Sequence, residues 1–424
     1  MMFKAATLAL ITVAGFSPLA MAQTSGAESM FERDRNVSVL QRPRPDYDSG
    51  GIQNGALLIY PELVLGLEFT DNVFATSGNE ESDIIGVITP GLTFDTTWSR
   101  HSVSGDISAT RREHFDFSDE SVWNFTAGAG GQLDITRETN ATAGARYSAL
   151  TEPRTSAGAA GQAAEPIEYD TWSSYLGAER AAGRIKAQAR VDFNVFDYDD
   201  APLFGGGVAD QDFRDREEYI LSARGDYAVS PDTAIFGRLR YNDRSYDLSP
   251  PTVALLRDSE GYTFDVGADF DLNGVARGVI GLGYTEQDYE SAALPDIDGL
   301  SVEGTIEWFP TQLTTVTVNA SRAVQDSAVA GSGGFFATSA GISVDHELRR
   351  NIIISAGVAL SEDDYSGIDR TDERLNISGG VTYFLNRTAG VRASYSYVNQ
   401  DSSGAAGNQD YSKNVIGLSL VLRR

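Results

Sequence analysis

Between Leu375 and Asn399 the chain reads LNISGGVTYFLNRTAGVRASYSYVN, and every second residue repeats one chemical character. Leu375, Ile377, Val381, Tyr383 and Leu385 share one parity, against Asn376, Ser378, Thr382 and Asn386 on the other. After the turn Asn386-Arg387-Thr388, Ala389, Val391, Ala393, Tyr395 and Tyr397 alternate with Gly390, Arg392, Ser394 and Ser396. Successive strand side chains point to opposite faces, so this stretch predicts a hairpin with one apolar and one polar face. A soluble sandwich could give the same pattern over one hairpin. Here the unit recurs along almost the whole chain, with short and long connections in alternation, which points to a transmembrane β-barrel.

Roughly eighteen such segments are predicted, from Leu57 to Leu422, and an even count returns both ends of the chain to one side of the membrane. The predicted fold is all-β: an antiparallel up-and-down barrel over residues 56–424, with short periplasmic turns and longer external loops. The long connections fall near residues 154–165, 202–215, 248–259 and 326–334 and are rich in Gly, Ala, Ser and Asp. A propeller would share the repeat length, but no recurrent blade motif accompanies it.

The clearest alternation carries charge. Tyr262, Phe264, Val266, Ala268 and Phe270 oppose Asp265, Asp269 and Asp271, and Val302, Ile306 and Trp308 oppose Glu303 and Glu307. Charges at every second position cannot sit in a two-sided core, but they can line a wet lumen. Lys186, Arg190, Arg224, Arg238, Arg240 and Arg392 fall on inward parity, as do Asp265, Asp269, Asp271, Glu303 and Glu307. Opposed basic and acidic walls would set a transverse field across a pore. Pairing across neighbouring strands is the alternative, and both stay open at this point.

Aromatic residues cluster at segment ends, where an apolar body and a polar tip suit a membrane interface. The expected girdle comprises Trp98, Trp123, Trp172, Trp308, Tyr198, Tyr289, Tyr365 and Tyr411. Each of these tyrosines follows an aspartate (Asp197, Asp288, Asp364, Asp410), a pattern suited to solvated carboxylates or to divalent cations shared with lipopolysaccharide.

Residues 1–22 read as an export signal: Lys4, a short apolar run from Ala5 to Gly15, and Ala20-Met21-Ala22 as the cleavage site. Residues 23–55 are polar and rich in Pro, Arg and Asp, which predicts an extended periplasmic or lumen-entering segment. The chain has no cysteine, so disulfides and thiolate metal sites are excluded. A formal net charge of -27 argues against nucleic-acid binding, which needs Lys and Arg against phosphate. Only outer-membrane lipids and lipopolysaccharide are expected as partners on these grounds.

No enzyme chemistry stands out. His101, His114 and His346 are the only histidines, and the predicted topology places His114 at the opposite rim from the other two. His114 with Asp116 and Asp119 lacks any accompanying nucleophile motif, and no phosphate-binding loop or nucleophile elbow is present. No cofactor is expected beyond surface divalent cations.

The stretch GALLIYPELVLGLEFTDNVFAT (Gly55 to Thr76), with SDIIGVITPGL, TWSRH and EPIEYDTWSSYLGAER, resembles a family of outer-membrane β-barrel porins. Members of that family accompany exopolysaccharide or capsule secretion systems. The resemblance implies a role in polysaccharide export alongside periplasmic machinery, and it brings no catalytic signature. Two other readings remain: a general diffusion porin for small polar solutes, and a plugged structural or adhesion barrel.

Overall fold

A computed structural model describes Ser29 and residues 37–158, 163–248, 256–407 and 409–424. The expected export signal over residues 1–22 lies outside the described residues, as do most of 23–36 and the centre of the loop near 248–259. One antiparallel sheet of nineteen strands closes on itself. Its three-residue member Ile52–Asn54 is a spur on the first long strand, so eighteen (19 − 1) strands form the barrel wall.

In chain order these are β1 (Leu57–Thr70), β2 (Asp83–Thr96), β3 (Ser102–His114), β4 (Val122–Asp134), β5 (Thr139–Thr151) and β6 (Glu168–Ala182). Then come β7 (Ile185–Tyr198), β8 (Arg216–Ser230), β9 (Thr233–Tyr246), β10 (Ser259–Leu272), β11 (Ala276–Tyr289) and β12 (Ile297–Thr311). The last six are β13 (Thr314–Asp326), β14 (Gly334–Arg349), β15 (Ile352–Tyr365), β16 (Thr371–Phe384), β17 (Ala389–Ser403) and β18 (Tyr411–Arg423). β18 pairs back onto β1, with Leu420 opposite Leu65, so no strand edge is left along the seam.

The alternation does what the pleat requires. Outward positions such as Leu67, Leu176, Leu282, Leu360 and Leu418 are exposed apolar side chains, and their inward neighbours are small, polar or charged. In lipid this outer surface supplies the hydrocarbon-facing band. Connections also sort by end. One rim carries turns as short as residues 183–184, where Gly183 has φ +63° as a two-residue hairpin needs. The other carries loops as long as residues 199–215.

One part of the wall breaks the regular ladder. β12 and β13 pair from Thr311↔Thr314 only as far as Val302↔Arg322, although β12 continues to Ile297 against β11 and β13 to Asp326 against β14. Above that point the tip of the β13–β14 hairpin folds into the barrel. Val324 and Phe336 share the parity of lipid-facing Val318 and Ile342, yet both are buried. They pack with Tyr289 and Ile297 on the inner face of β11 and β12. Consistently, β11 touches β13 and β12 touches β14, though neither pair is adjacent in the sheet.

Candidate functional site

The lumen has two unlike walls. On β6 to β12 the inward charges pair with one another. Arg238 reaches Asp265 at 2.9 Å and Glu303 at 2.5 Å, and Arg240 joins the same two carboxylates at 3.2 and 3.7 Å. Ser301 adds a hydroxyl donor to Asp265 at 2.9 Å. Lys186 bridges to Glu179 at 3.1 Å, Arg190 to Asp192 at 2.6 Å, Arg224 to Asp226 at 2.6 Å, and Arg277 to Glu307 at 2.5 Å. Asp269 accepts from Ser29 at 3.0 Å, and Asp271 lies directly opposite Arg277 across β10 and β11. The expected opposed basic and acidic walls are therefore replaced by interleaved pairs: within one strand for Arg190–Asp192 and Arg224–Asp226, between adjacent strands for Lys186–Glu179, Arg238–Asp265 and Arg277–Glu307, and from β9 to β12 for Arg238–Glu303. Same-face spacing and register account for this: Arg190 and Arg224 each have an aspartate two residues on, and Arg238 faces Asp265 directly across β9 and β10, so these charges meet a partner before they can set a field across the pore.

Aromatic rings fill what space these pairs leave. The Arg190 guanidinium lies 3.9 Å from the Tyr175 ring centroid, and Arg224 lies 3.9 Å from that of Phe236. Such stacking shields the cations in part and narrows that side of the lumen. The opposite wall, β13 to β17, is built from Asn319, Ser321, Ser339, Ser343, Ser355, Ser378 and Ser394, interspersed with glycines. These short side chains leave a cavity of about 1200 Å³. Arg392 lines it and forms no ion pair among the described residues, unlike the other arginines expected to face inward.

Both mouths of this chamber are covered. At the short-turn rim, Val39 is fully buried against Ile353 and Phe384, with Leu40 and Tyr47 beside them. Val39 N–H donates to Thr315 at 2.9 Å, Arg44 pairs with Glu347 at 3.4 Å, and Arg423 donates to the Tyr47 carbonyl at 2.8 Å. Ser29 is held on the far side of the same rim, where Lys186 donates to its carbonyl at 3.1 Å. The segment thus meets β7 and β10 at one point and β13 to β18 at another.

At the long-loop rim, residues 152–158 lie over the lumen. Arg214 grips Glu152 through two hydrogen bonds of 2.9 and 2.8 Å, and Gln409 donates to the Ser156 carbonyl at 3.2 Å from across the mouth. Burial works against the Arg214 cation, but the Glu152 bonds and charge hold its pKa above the ordinary arginine value. Asp215, at the end of the same loop, is pushed up to about 6, by burial first and then by Asp197, Asp212 and Asp247. Its carboxylate still accepts the Tyr198 N–H at 2.7 Å.

The tyrosines expected in the girdle turn inward instead. Tyr198, Tyr289, Tyr365 and Tyr411 are all buried, at 8% exposure or less. Each sits one residue beyond an exposed aspartate, so its parity turns it inward. Tyr198 stacks on Tyr169 and under Arg214, and Arg370 lies over Tyr365. The four tryptophans behave differently: Trp98, Trp123, Trp172 and Trp308 are exposed on the outer surface near strand ends.

The histidines are separate. His114 pairs with Asp83 at 3.0 Å, His346 bonds Thr314 at 3.0 Å, and His101 accepts from the Asp134 N–H. Among the described residues the one group of three carboxylates close enough to share an ion is Asp200, Asp210 and Asp212, all exposed in the loop 199–215. Sequence reasoning missed the loop 152–158 as a cover. It also missed the infolded hairpin, whose apolar positions read as lipid-facing.

No curated protein matches the chain. Among solved structures, the outer membrane protein opdK from Pseudomonas aeruginosa is 13% identical, with 86% of this chain and 99% of that one covered at a TM-score of 0.43. A BenF-like porin from Pseudomonas fluorescens Pf-5 is 9% identical over 86% and 99%, at 0.46. The siderophore receptor PirA from Pseudomonas aeruginosa is 8% identical over 91% and 82%, at 0.48. Residues 44–424 match the family model described as Putative beta-barrel porin 2. The chain belongs to that family, as an outer-membrane β-barrel with the build of a porin-like channel.

Proposed function

We propose that the protein passes small polar solutes across the outer membrane, and that its lumen at rest is a closed chamber. The observation that carries this reading is the hydroxyl-lined cavity of about 1200 Å³ with a cover made of the chain's own segments at each mouth. A barrel of this strand number is wide enough for an aqueous channel unless something fills it. Here the charged wall, the segment around Val39 and the loop 152–158 do the filling. With short turns on the periplasmic side, Val39 to Tyr47 cover the periplasmic mouth. Removal of residues 1–22 during export, and contact with lipopolysaccharide and its divalent cations, belong to the same proposal.

Liposome swelling tests it. Vesicles carrying the intact protein should swell slowly in arabinose, and a variant lacking residues 23–50 should swell several-fold faster. Equal rates in both would remove the gating role of the segment.

Export of exopolysaccharide is the second reading, drawn from the family resemblance. A channel closed at rest suits a cargo delivered by periplasmic machinery. Against it, the inward rings a glycan would stack on are occupied: Tyr175 lies under Arg190, and Phe384 under Tyr47 and Arg44. Loss of polysaccharide secretion in a strain lacking the protein would favour export over the general porin.

A further inference from the structure

The infolded tip of the β13–β14 hairpin ends at Asp326, and the surroundings of that carboxylate are unusual. Arg216 approaches it at 3.6 Å and Arg257 at 3.7 Å, and the Tyr246 hydroxyl donates a hydrogen bond to it. Arg216 and Arg257 are each about 95% buried, and Arg216 and Asp326 line the chamber. Arg244 lies beside them on β9, paired to Glu218 only through Nε at 2.9 Å. Its Nη1, the Nε of Arg257 and the hydroxyl of Tyr289 are buried without a hydrogen-bond partner. Four guanidinium groups (Arg214, Arg216, Arg244, Arg257) therefore meet three carboxylates (Glu152, Glu218, Asp326). The cradle holds more positive charge and more donors than the chain itself satisfies.

Asp326 belongs to a different structural unit from the arginines it touches. They stand on β8, β9 and the approach to β10, whereas it arrives on a hairpin that has left its pairing with β12 above Val302↔Arg322. The backbone groups freed there have a partner to return to, since β12 still runs to Ile297 beside the gap.

We infer that the Arg216–Arg244–Arg257–Tyr246 cradle is a binding site for the carboxylate group of a small organic acid, which Asp326 occupies in this closed state as an internal substitute. When the hairpin moves outward to rejoin β12, it vacates the cradle and widens the mouth together. A ligand carboxylate then takes the two guanidinium contacts and the phenol hydrogen bond. Charge argues for a monocarboxylate: the site already accepts a single carboxylate from the chain, with one guanidinium nitrogen beside each of its oxygens. Removing Asp326 alone strands two buried cations, which only an incoming anion can neutralise.

The test uses the full-length protein in detergent, with benzoate as the probe and benzamide as its uncharged isostere. Asp326→Ala should bind benzoate at least tenfold more tightly than the parent by calorimetry, and benzamide should bind neither. Benzoate should also raise the unfolding temperature of Asp326→Ala, and adding Arg257→Gln should abolish both effects. Should Asp326→Ala fail to assemble, Asp326→Asn serves, because it keeps the shape and removes the charge. Equal benzoate affinity in parent and variant, or no binding in a folded variant, would reduce Asp326 to a structural clasp and overturn the proposal. Binding of phosphate as tight as benzoate would overturn the carboxylate assignment. None of these readouts requires conduction, so their failure is distinguishable from failure of the channel reading.

Discussion

The two walls of the lumen are made from the same sheet with the same pleat, yet they do opposite things. On β6 to β12 long side chains pair and stack and take up much of the lumen; Asp265 and Asp269 are completely buried, and only residues such as Arg240 and Glu303 reach the cavity. On β13 to β17 serine, asparagine and glycine stop short, and the cavity lies against them. Solvent contact follows from side-chain length, not from polarity. A buried ion-pair network adds little net stability over apolar packing, but breaking one member is costly, so the charged wall is rigid for as long as it is complete. The serines and glycines of the hydroxyl wall belong to no ion pair and can vary with little loss of stability.

The largest effect should therefore come from the charged wall. Asp265→Ala leaves Arg238 and Arg240 sharing only Glu303 and should cost about 3–5 kcal/mol. Ser378→Ala on the opposite wall should change stability by less than about 0.5 kcal/mol. Thermal unfolding in detergent, followed by heat-modifiable gel migration, measures both. Comparable losses at the two positions would erase the distinction between the walls.

Lipid-facing positions behind the two walls sharpen it. Val266→Arg behind the charged wall and Val358→Arg behind the hydroxyl wall each place a cation in hydrocarbon and should each cost about 2–4 kcal/mol. The outer face does not sense what lines the lumen, so a large difference between them would place one strand in the wrong register. Ser339→Trp should leave assembly intact and cut conductance of the opened channel by roughly half, since its side chain enters the cavity. Unchanged conductance would show that solutes do not pass along the hydroxyl wall.

Strand positions and their inward or outward sense were legible because each strand residue meets either lipid or lumen, and the pattern has period two. Leu375 to Asn399 shows this residue by residue. Parity alone would also have turned Tyr198 and Tyr411 inward, had it been given weight over the tendency of aromatic rings to sit at interfaces. What pairs with what inside the lumen was not legible, because it depends on which inward charges stand opposite once the barrel closes. The infolded hairpin was less so still: Val324 and Phe336 are apolar residues at lipid-facing parity, and nothing local distinguishes burial on a neighbouring strand from burial in a membrane.

The smallest expected effect is one of pH. Asp215 has its pKa raised to about 6 from the ordinary carboxyl value of 3.8. The folded loop thus binds more protons than an unfolded one between these values. Its stability rises as pH falls through about 6, and the gain is complete below the unfolded value. The loop 199–215 should be held more firmly at pH 5 than at pH 7.5, with modestly slower proteolytic nicking. Asp215→Asn should remove the difference, and a parent whose nicking is faster at pH 5 would reverse the sign of the account.

The most direct test of a chamber closed at both mouths is single-channel recording in planar bilayers. The intact protein should show only brief, small openings. Removing residues 23–50 together with residues 152–158 should give a large, steady conductance, and removing either alone an intermediate one. A large, steady conductance in the intact protein, unchanged by either deletion, would contradict the account.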